Sequence, residues 1–367
     1  MKICHVTCVH QQNDVRIFSK ECTSLAGEPG YEVYLSAEGE SRKANNVNII
    51  GNGELPGSRV KRLFQFSKKV VDSALKVEAD LYHLHDPELL RHAMKFKKTG
   101  AKVIFDSHEN VLDEIEEKQY LPTLVKKIAK IYFAHLLNYT LKRIDGVVIV
   151  TPQQEKGYKA LNRNIVLIPN YPIVDTADDE KVQKKPGRIA FAGLVSDLWS
   201  QEEIIRALED VDGAEYRIFG PADEEYIEKL SKLPGWNKAE YFGVQPFERV
   251  QEELKSACCT VALLKPCRNT FYTEGTMGNT KLFESMYNET PVIATSFELW
   301  KDVVEKNQCG FLIDPNNVDE IRGALKKMMS LSVEDISEMG RNGKQAVIRD
   351  YSWEKAYGEL RKLYKSL

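Results

Sequence analysis

Short apolar runs alternate with amphipathic helical stretches along almost the whole chain, and this alternation restricts the fold more than any other feature. Lys2 to Val9 reads as a buried strand. The polar loop from Gln11 to Arg16 leads into a helix carrying Phe18, Cys22 and Leu25, and Tyr31 to Ser36 is the next strand. Strand, crossover helix and strand in that order predict a parallel sheet with helices on both faces. The rhythm continues through a strand at Asn46 to Ile50 and a helix from Ser58 to Val77. Strands at Leu81 to Leu84 and Lys102 to Phe105 follow, flanking a helix at Glu88 to Lys98. A long basic helix, Leu121 to Arg143, and strands at Asp145 to Val150 and Ile165 to Ile168 complete the first set. Asp175 to Gly187 is charged and poor in apolar residues, as a linker is. From Arg188 the rhythm restarts and runs through strands beginning at Ile189, Tyr216, Ala239, Thr260, Val292 and Gly310. The fold class is therefore α/β, with two Rossmann-like doubly wound domains and a cleft between them. The domains are placed at 1–168 and 169–350, and a terminal helix at 351–367 is expected to return to the first.

Composition bounds the function classes. The chain of 367 residues exceeds the roughly 100 to 200 residues of one domain. No apolar run reaches the roughly 18 residues of a membrane span, and Met1 to Cys4 enters a strand directly, so a cytoplasmic protein is expected. Seven cysteines are scattered without CxxC pairs and read as free, structural thiols. Residues 1–170 hold 25 Lys and Arg against 20 Asp and Glu, while the remainder holds 26 against 34, which suggests different partners for the two halves. The acidic whole, at a net charge of −3 and without a recognition motif, argues against nucleic acid.

The densest chemical signal is Glu274 to Ala294. A loop with two glycines closes on Asn279, a good N-cap, and a short amphipathic helix follows with Leu282 and Met286 on one face. Amides at a helix start attract anions, so a phosphate fits against Asn279, Thr280 and Lys281. Glu284, one turn on, suits a ribose diol. The plain alternative is a capped helix with a surface glutamate. In the first half, two strands end in polar clusters, His85-Asp86 and Asp106-Ser107-His108-Glu109, at the sheet edge where ligands bind. Asp86 precedes Pro87 and is also a natural N-cap, and a lone His108 is also read as a structural side chain.

These residues resemble the retaining glycosyltransferases of family four, which have the two-domain GT-B architecture. The resemblance rests on Asp80 to Leu90 around His85-Asp86-Pro87-Glu88, Val103 to Glu109, Asn279 to Met286 with Pro291 to Thr295, Glu298 to Val304, and Cys309 to Pro315. The start, His5 to His10 with Asp14 to Phe18, is similar to a subgroup that makes bacterial surface polysaccharides. The resemblance implies transfer of a sugar from a nucleotide diphosphate donor to a glycan or lipid-linked glycan, with retained anomeric configuration and without a bound metal or cofactor. His108 and Lys281 are then the catalytic candidates. Glu284, Asn279, Thr280, Gly193, Gly243 and Val244 would bind the nucleotide sugar, and Arg16, His85 and Asp86 would lie on the acceptor side.

The chain departs from that pattern in two places. Thr276 replaces the first of the family's paired glutamates, with Glu274 two residues earlier. After Gly193, Leu194 and Trp199 occupy positions where the family has cations; Lys281, Lys265 and Arg268 are the nearest substitutes. A catalytically degenerate GT-B protein that binds a nucleotide sugar or a partner transferase is the alternative, and an epimerase of the same fold a third reading. The basic helices at Arg59 to Lys76 and Leu121 to Arg143 could adsorb to an anionic inner leaflet, or simply be solvated faces.

Overall fold

The structure, a computed structural model, describes residues 1–108, 111–117, 122–174 and 182–367. The chain forms two compact units, Met1–Asn170 with Trp353–Leu367, and Tyr171–Ser352. Glu109 and most of the charged segment after Val174 lie outside the described residues.

The first unit contains β1 (Lys2–Val6), β2 (Glu32–Ala37), β3 (Arg42–Ala44), β4 (Val47–Gly51), β5 (Leu81–Leu84), β6 (Lys102–Ser107), β7 (Gly146–Ile149) and β8 (Ile165–Leu167). They form one sheet in the order β3-β4-β2-β1-β5-β6-β7-β8. Every pairing is parallel except the short β3–β4 hairpin, which the sequence pattern did not announce. Because alternate residues of a strand face opposite sides, the sheet has two unlike faces. Cys4, Val6, Tyr82, Leu84, Val103 and Phe105 join one apolar core. His5 and His83 are register partners on β1 and β5, and His85 lies two residues beyond His83, so the other face carries a layer of imidazoles. That layer is covered by residues 15–26, wound as a continuous helix, and by the terminal helix Trp353–Ser366. Trp353 donates its indole N–H to Ser24 Oγ at 2.8 Å and Arg361 pairs with Glu28 at 2.9 Å, which hold the terminal helix in this unit.

The second unit contains β9 (Lys185–Ala192), β10 (Glu215–Phe219), β11 (Ala239–Tyr241), β12 (Ala257–Ala262), β13 (Val292–Thr295) and β14 (Gly310–Ile313). All its strands are parallel, in the order β11-β10-β9-β12-β13-β14. Lys185-Pro186-Gly187, read from sequence as linker, begins β9 instead. Pairing of Lys185 with Ala257 of β12, and of the strand with β10 from Arg188 onward, outweighs the local turn preference of Pro and Gly. Both sheets are Rossmann-like and reverse their strand order beside the first strand of the unit, between β1 and β5 and between β9 and β12. Crevices at the carboxyl ends of such strands are where doubly wound folds bind ligands.

Candidate active site

Within the first unit, the switch point brings together Arg16, His85, Asp86 and His108 from three separate segments. Asp86 follows β5 and its carboxylate does not cap the turn that Pro87 opens. Instead Oδ2 accepts from Thr7 Oγ1 at 2.9 Å and from the Cys8 amide at 2.5 Å, which ties the end of β5 to the end of β1. The N-cap reading of Asp86 therefore fails, because two donors at the adjacent strand end compete for the oxygen. His10 bridges Asp14 at 3.1 Å and Asp86 at 3.5 Å. Burial lowers the affinity of His10 for a proton, but the bond to Asp14 and the charges of Asp86, Asp14 and Asp106 outweigh it and hold its pKa above the usual imidazole value.

Asp106, at the end of β6, organises the rest. Arg16 donates to it from Nε and Nη2 at 3.0–3.1 Å, and its Nη1 donates to the Ile168 carbonyl at 3.0 Å. Burial alone would raise the Asp106 carboxyl, yet Arg16 foremost, with His108 and His85, holds it well below the ordinary value. His108 Nε2 stands 3.3 Å from Asp106 Oδ2 and 3.3 Å from His85 Nδ1, so a carboxylate and a second imidazole orient it. Arg16 is 5 % exposed and committed to Asp106 and Ile168, so it supports this array from behind rather than presenting its charge to an acceptor.

A cavity of about 520 Å³ opens over these groups. His10, His85, Asp86 and His108 line its polar side, Leu63, Phe105, Ile115 and Phe133 its apolar side, and Arg59 and Arg62 add two cations. His10 was not expected from the sequence, nor were His5, Glu21 and His83 beneath the cavity. Only His83 had a signal, His83-x-His85 in a strand, two polar residues at a period that puts both on one face; His5, His10 and Glu21 had none.

Within the second unit, β9 is followed directly by Gly193, whose φ is +147°. A Cβ there would come within 2.1 Å of Lys281 Cε, so the positive φ and the close lysine both favour glycine at this position. The helix Thr280–Tyr287 is capped by Asn279, whose side chain accepts from the Lys281 amide at 2.9 Å. That amide is therefore satisfied internally and is withdrawn from the amides first read as anion donors. The lysine side chain supplies the charge instead. Its Nζ lies 4.2 Å from the centre of the Trp199 ring, and Trp199 packs on Phe191 at 5.8 Å. Trp199, found where a cation was expected, thus forms the seat of a cation that arrives from a different element. Burial lowers the Lys281 pKa and the Glu284 charge partly opposes it.

Lys265 is not an equivalent substitute. It is paired with Asp197 at 2.8 Å and Glu203 at 2.9 Å. Leu194 is exposed and Glu274 is exposed in the turn before Gly275. Thr276 accepts from the indole of the fully buried Trp300 at 2.8 Å through its carbonyl, which pins the loop at the position of the missing glutamate. Glu284 is half-buried one turn into the helix. Gly243 and Val244 follow β11, two strands away from β9; Gly243 has φ +65° with open space where a Cβ would be, and Val244 is 73 % exposed.

The description "Glycosyltransferase Family 4" matches residues 9–172, and "Glycosyl transferases group 1" matches residues 175–346. No curated protein sequence matches the chain. Among solved structures, it is similar to a sucrose-phosphate synthase from Thermosynechococcus elongatus, at 15 % identity and a TM-score of 0.73 over 100 % of this chain and 98 % of that one. The Anabaena protein HepE, solved with UDP and glucose, is similar at 14 % identity and a TM-score of 0.71 over 100 % of both chains. WaaG, a glycosyltransferase involved in lipopolysaccharide biosynthesis, is similar at 15 % identity and a TM-score of 0.65 over 97 % and 98 %. These likenesses show the GT-B fold. With one family matched across each of its two Rossmann-like units, the chain belongs to the glycosyltransferases that join a family-four domain to a group-1 domain, enzymes of sugar transfer in glycan biosynthesis.

Proposed function

We propose that this enzyme moves a sugar from a nucleotide diphosphate donor to a glycan or lipid-linked glycan in the making of a surface polysaccharide, retaining the anomeric configuration and using no metal at the diphosphate. The observation that carries the reading is the packing of Lys281 between Gly193 and Trp199, at the carboxyl edge of the second sheet. As the glycosidic bond breaks, the sugar becomes oxocarbenium-like and charge grows on the diphosphate, so a fixed cation there stabilises the transition state more than the ground state. Asn279 and Thr280 start the adjoining helix, Glu284 clamps the ribose diol, and Gly193, Gly243 and Val244 let the nucleotide approach the backbone. His108, held by Asp106 and His85, bears on the sugar, and His85 and Asp86 shape the acceptor cavity. HepE, which was solved with UDP-glucose, supports a nucleotide sugar as donor, and WaaG supports a glycan of the cell surface.

The test is release of nucleoside diphosphate from a panel of nucleotide sugars, with a membrane extract as acceptor. Turnover with one donor is expected, and Glu284→Ala should weaken nucleotide binding about tenfold or more, the loss of a charge-assisted contact of roughly 1.5–3 kcal/mol. Absence of turnover with every donor, alongside nucleotide binding that depends on Glu284, would point to a binding protein instead. Conversion of the donor without acceptor would point to an epimerase.

A lipid-linked acceptor has support in the first unit. No helix among the described residues is long and apolar enough to cross a membrane. The helix Thr123–Leu141, however, exposes Leu124, Val125, Ile128, Ile131 and Tyr132 beside Lys126, Lys127 and Lys130, and residues 59–75 add exposed Val60 and Phe64 beside Arg59, Lys61 and Arg62. Exposed apolar side chains interleaved with lysine and arginine suit a surface of anionic lipid, with each charge contributing about 1 kcal/mol. Sedimentation with vesicles containing phosphatidylglycerol should recover the protein, and neutral vesicles should recover far less. Ile128→Glu with Ile131→Glu should abolish the recovery while leaving nucleotide binding intact; unchanged recovery would remove membrane contact from the reading.

A further inference from the structure

Beneath the cavity of the first unit, three imidazoles and a carboxylate converge in a space closed to solvent. Glu21 Oε2 lies 3.7 Å from His5 Nδ1, 3.6 Å from His83 Nδ1 and 3.9 Å from His85 Nε2. His5 Nδ1 and His85 Nε2 are 2.9 Å apart. One nitrogen or oxygen from each of the four residues lies within 4.8 Å of all the others. All four side chains are fully buried.

A further observation points to a ligand rather than to ordinary core polarity. No hydrogen bond of good geometry reaches either oxygen of Glu21 among the described residues, and burial together with the neighbouring Asp106 carboxylate makes a charge on it costly without a cation beside it. Arg16 Nε is 3.2 Å from Oε1 as an ion pair, but the guanidinium directs its hydrogen bonds to Asp106 and Ile168, and Oε2 is left facing the imidazoles.

We propose that His5, His83, His85 and Glu21 form a tetrahedral site for a divalent transition metal of the zinc type. Zinc takes His nitrogen at about 2.0–2.1 Å and carboxylate oxygen at about 2.0–2.2 Å, which sets ligand atoms roughly 3.3 Å apart in a tetrahedron. Four of the six separations, 2.9–3.9 Å, bracket that value, and the two between His83 and the other imidazoles lie within 4.8 Å. The outer shell is also supplied. His85 Nδ1 faces Asp106 Oδ2 at 3.6 Å, the carboxylate–histidine arrangement that fixes a ligand's tautomer, and His5 Nε2 faces the Tyr364 hydroxyl at 3.5 Å. Tyr364 is also 2.7 Å from His83 Nδ1, a hydrogen bond that an ion on that nitrogen would have to displace. Four ligands leave no open position, so the role is structural. The site lies wholly in the first unit and is compatible with metal-free chemistry at the donor diphosphate; it rests on none of the substrate assignments.

The experiment is elemental analysis of the full chain, produced in zinc-supplemented medium and purified without immobilised nickel. One equivalent of zinc per chain is expected, and cobalt substituted for it should give the visible ligand-field bands of a tetrahedral site. Glu21→Gln and His83→Gln should each lower the content to a small fraction of an equivalent. Should these variants not fold, the wild-type protein serves: chelation should lower its Tm and zinc should restore it. Wild-type protein that carries only trace metal, shows no tetrahedral cobalt spectrum and has a Tm indifferent to chelator and to zinc would overturn the proposal and leave the cluster as a hydrogen-bonded array.

Discussion

Replacing Lys281 by methionine is expected to lower kcat by about a hundred- to a thousandfold, the scale of losing one electrostatic stabiliser of roughly 2.7–4 kcal/mol at a developing oxyanion. Methionine keeps the apolar stem that packs beside Gly193 and Trp199 and removes only the charge, so a stable protein with lost turnover isolates the electrostatic term. The effect should be large because Lys265 is held by two carboxylates, Leu194 and Trp199 bring no charge, and Arg268 is exposed rather than packed beside Gly193 as Lys281 is. The pH profile adds a second reading. Burial lowers the Lys281 pKa, so the protonated form is lost, and the rate should fall, at lower pH than for an ordinary lysine. Near-normal turnover of Lys281→Met would mean that the neutralising charge comes from elsewhere.

Arg16→Met should destabilise the first unit by about 3–5 kcal/mol, because it strips the partner from a buried carboxylate and leaves the Ile168 carbonyl without its donor. The loss is read as a fall in the urea midpoint of that unit. Its pH dependence follows from Asp106. The folded-state pKa of Asp106 is depressed, so its contribution is present above the unfolded value near 4 and is lost as pH falls from there towards the folded value. The difference between wild type and Arg16→Met should therefore be greatest at neutral pH and shrink in acid. A variant of full stability with a raised KM for the acceptor would instead restore Arg16 to the acceptor side, where the family resemblance had put it.

The contrast between these two residues shows what a pattern of residue types carries. Both were cations in promising motifs. Lys281 sits where its motif suggested, because a helix start is a local structure and Asn279, two residues away, builds it. Arg16 sits in a polar loop by sequence, and its burial depends on Asp106 and Ile168, which are 90 and 152 residues distant. Asp86 failed as a cap for the same reason, since its competitors Thr7 and Cys8 belong to another strand. The imidazole cluster stayed unseen because strand order, not proximity in sequence, sets His5 beside His83.

By itself the sequence determined the alternation of strand and helix, the two Rossmann-like domains and the capped helix at Asn279, because these depend on apolar periodicity and on groups within a turn of one another. The tertiary structure decided which charges meet. It seated Lys281 on Trp199, turned Arg16 inward onto Asp106, and gathered three histidines and Glu21 under one sheet. In each case the partners come from segments that only the parallel strand order brings together, and burial then makes their pairing matter.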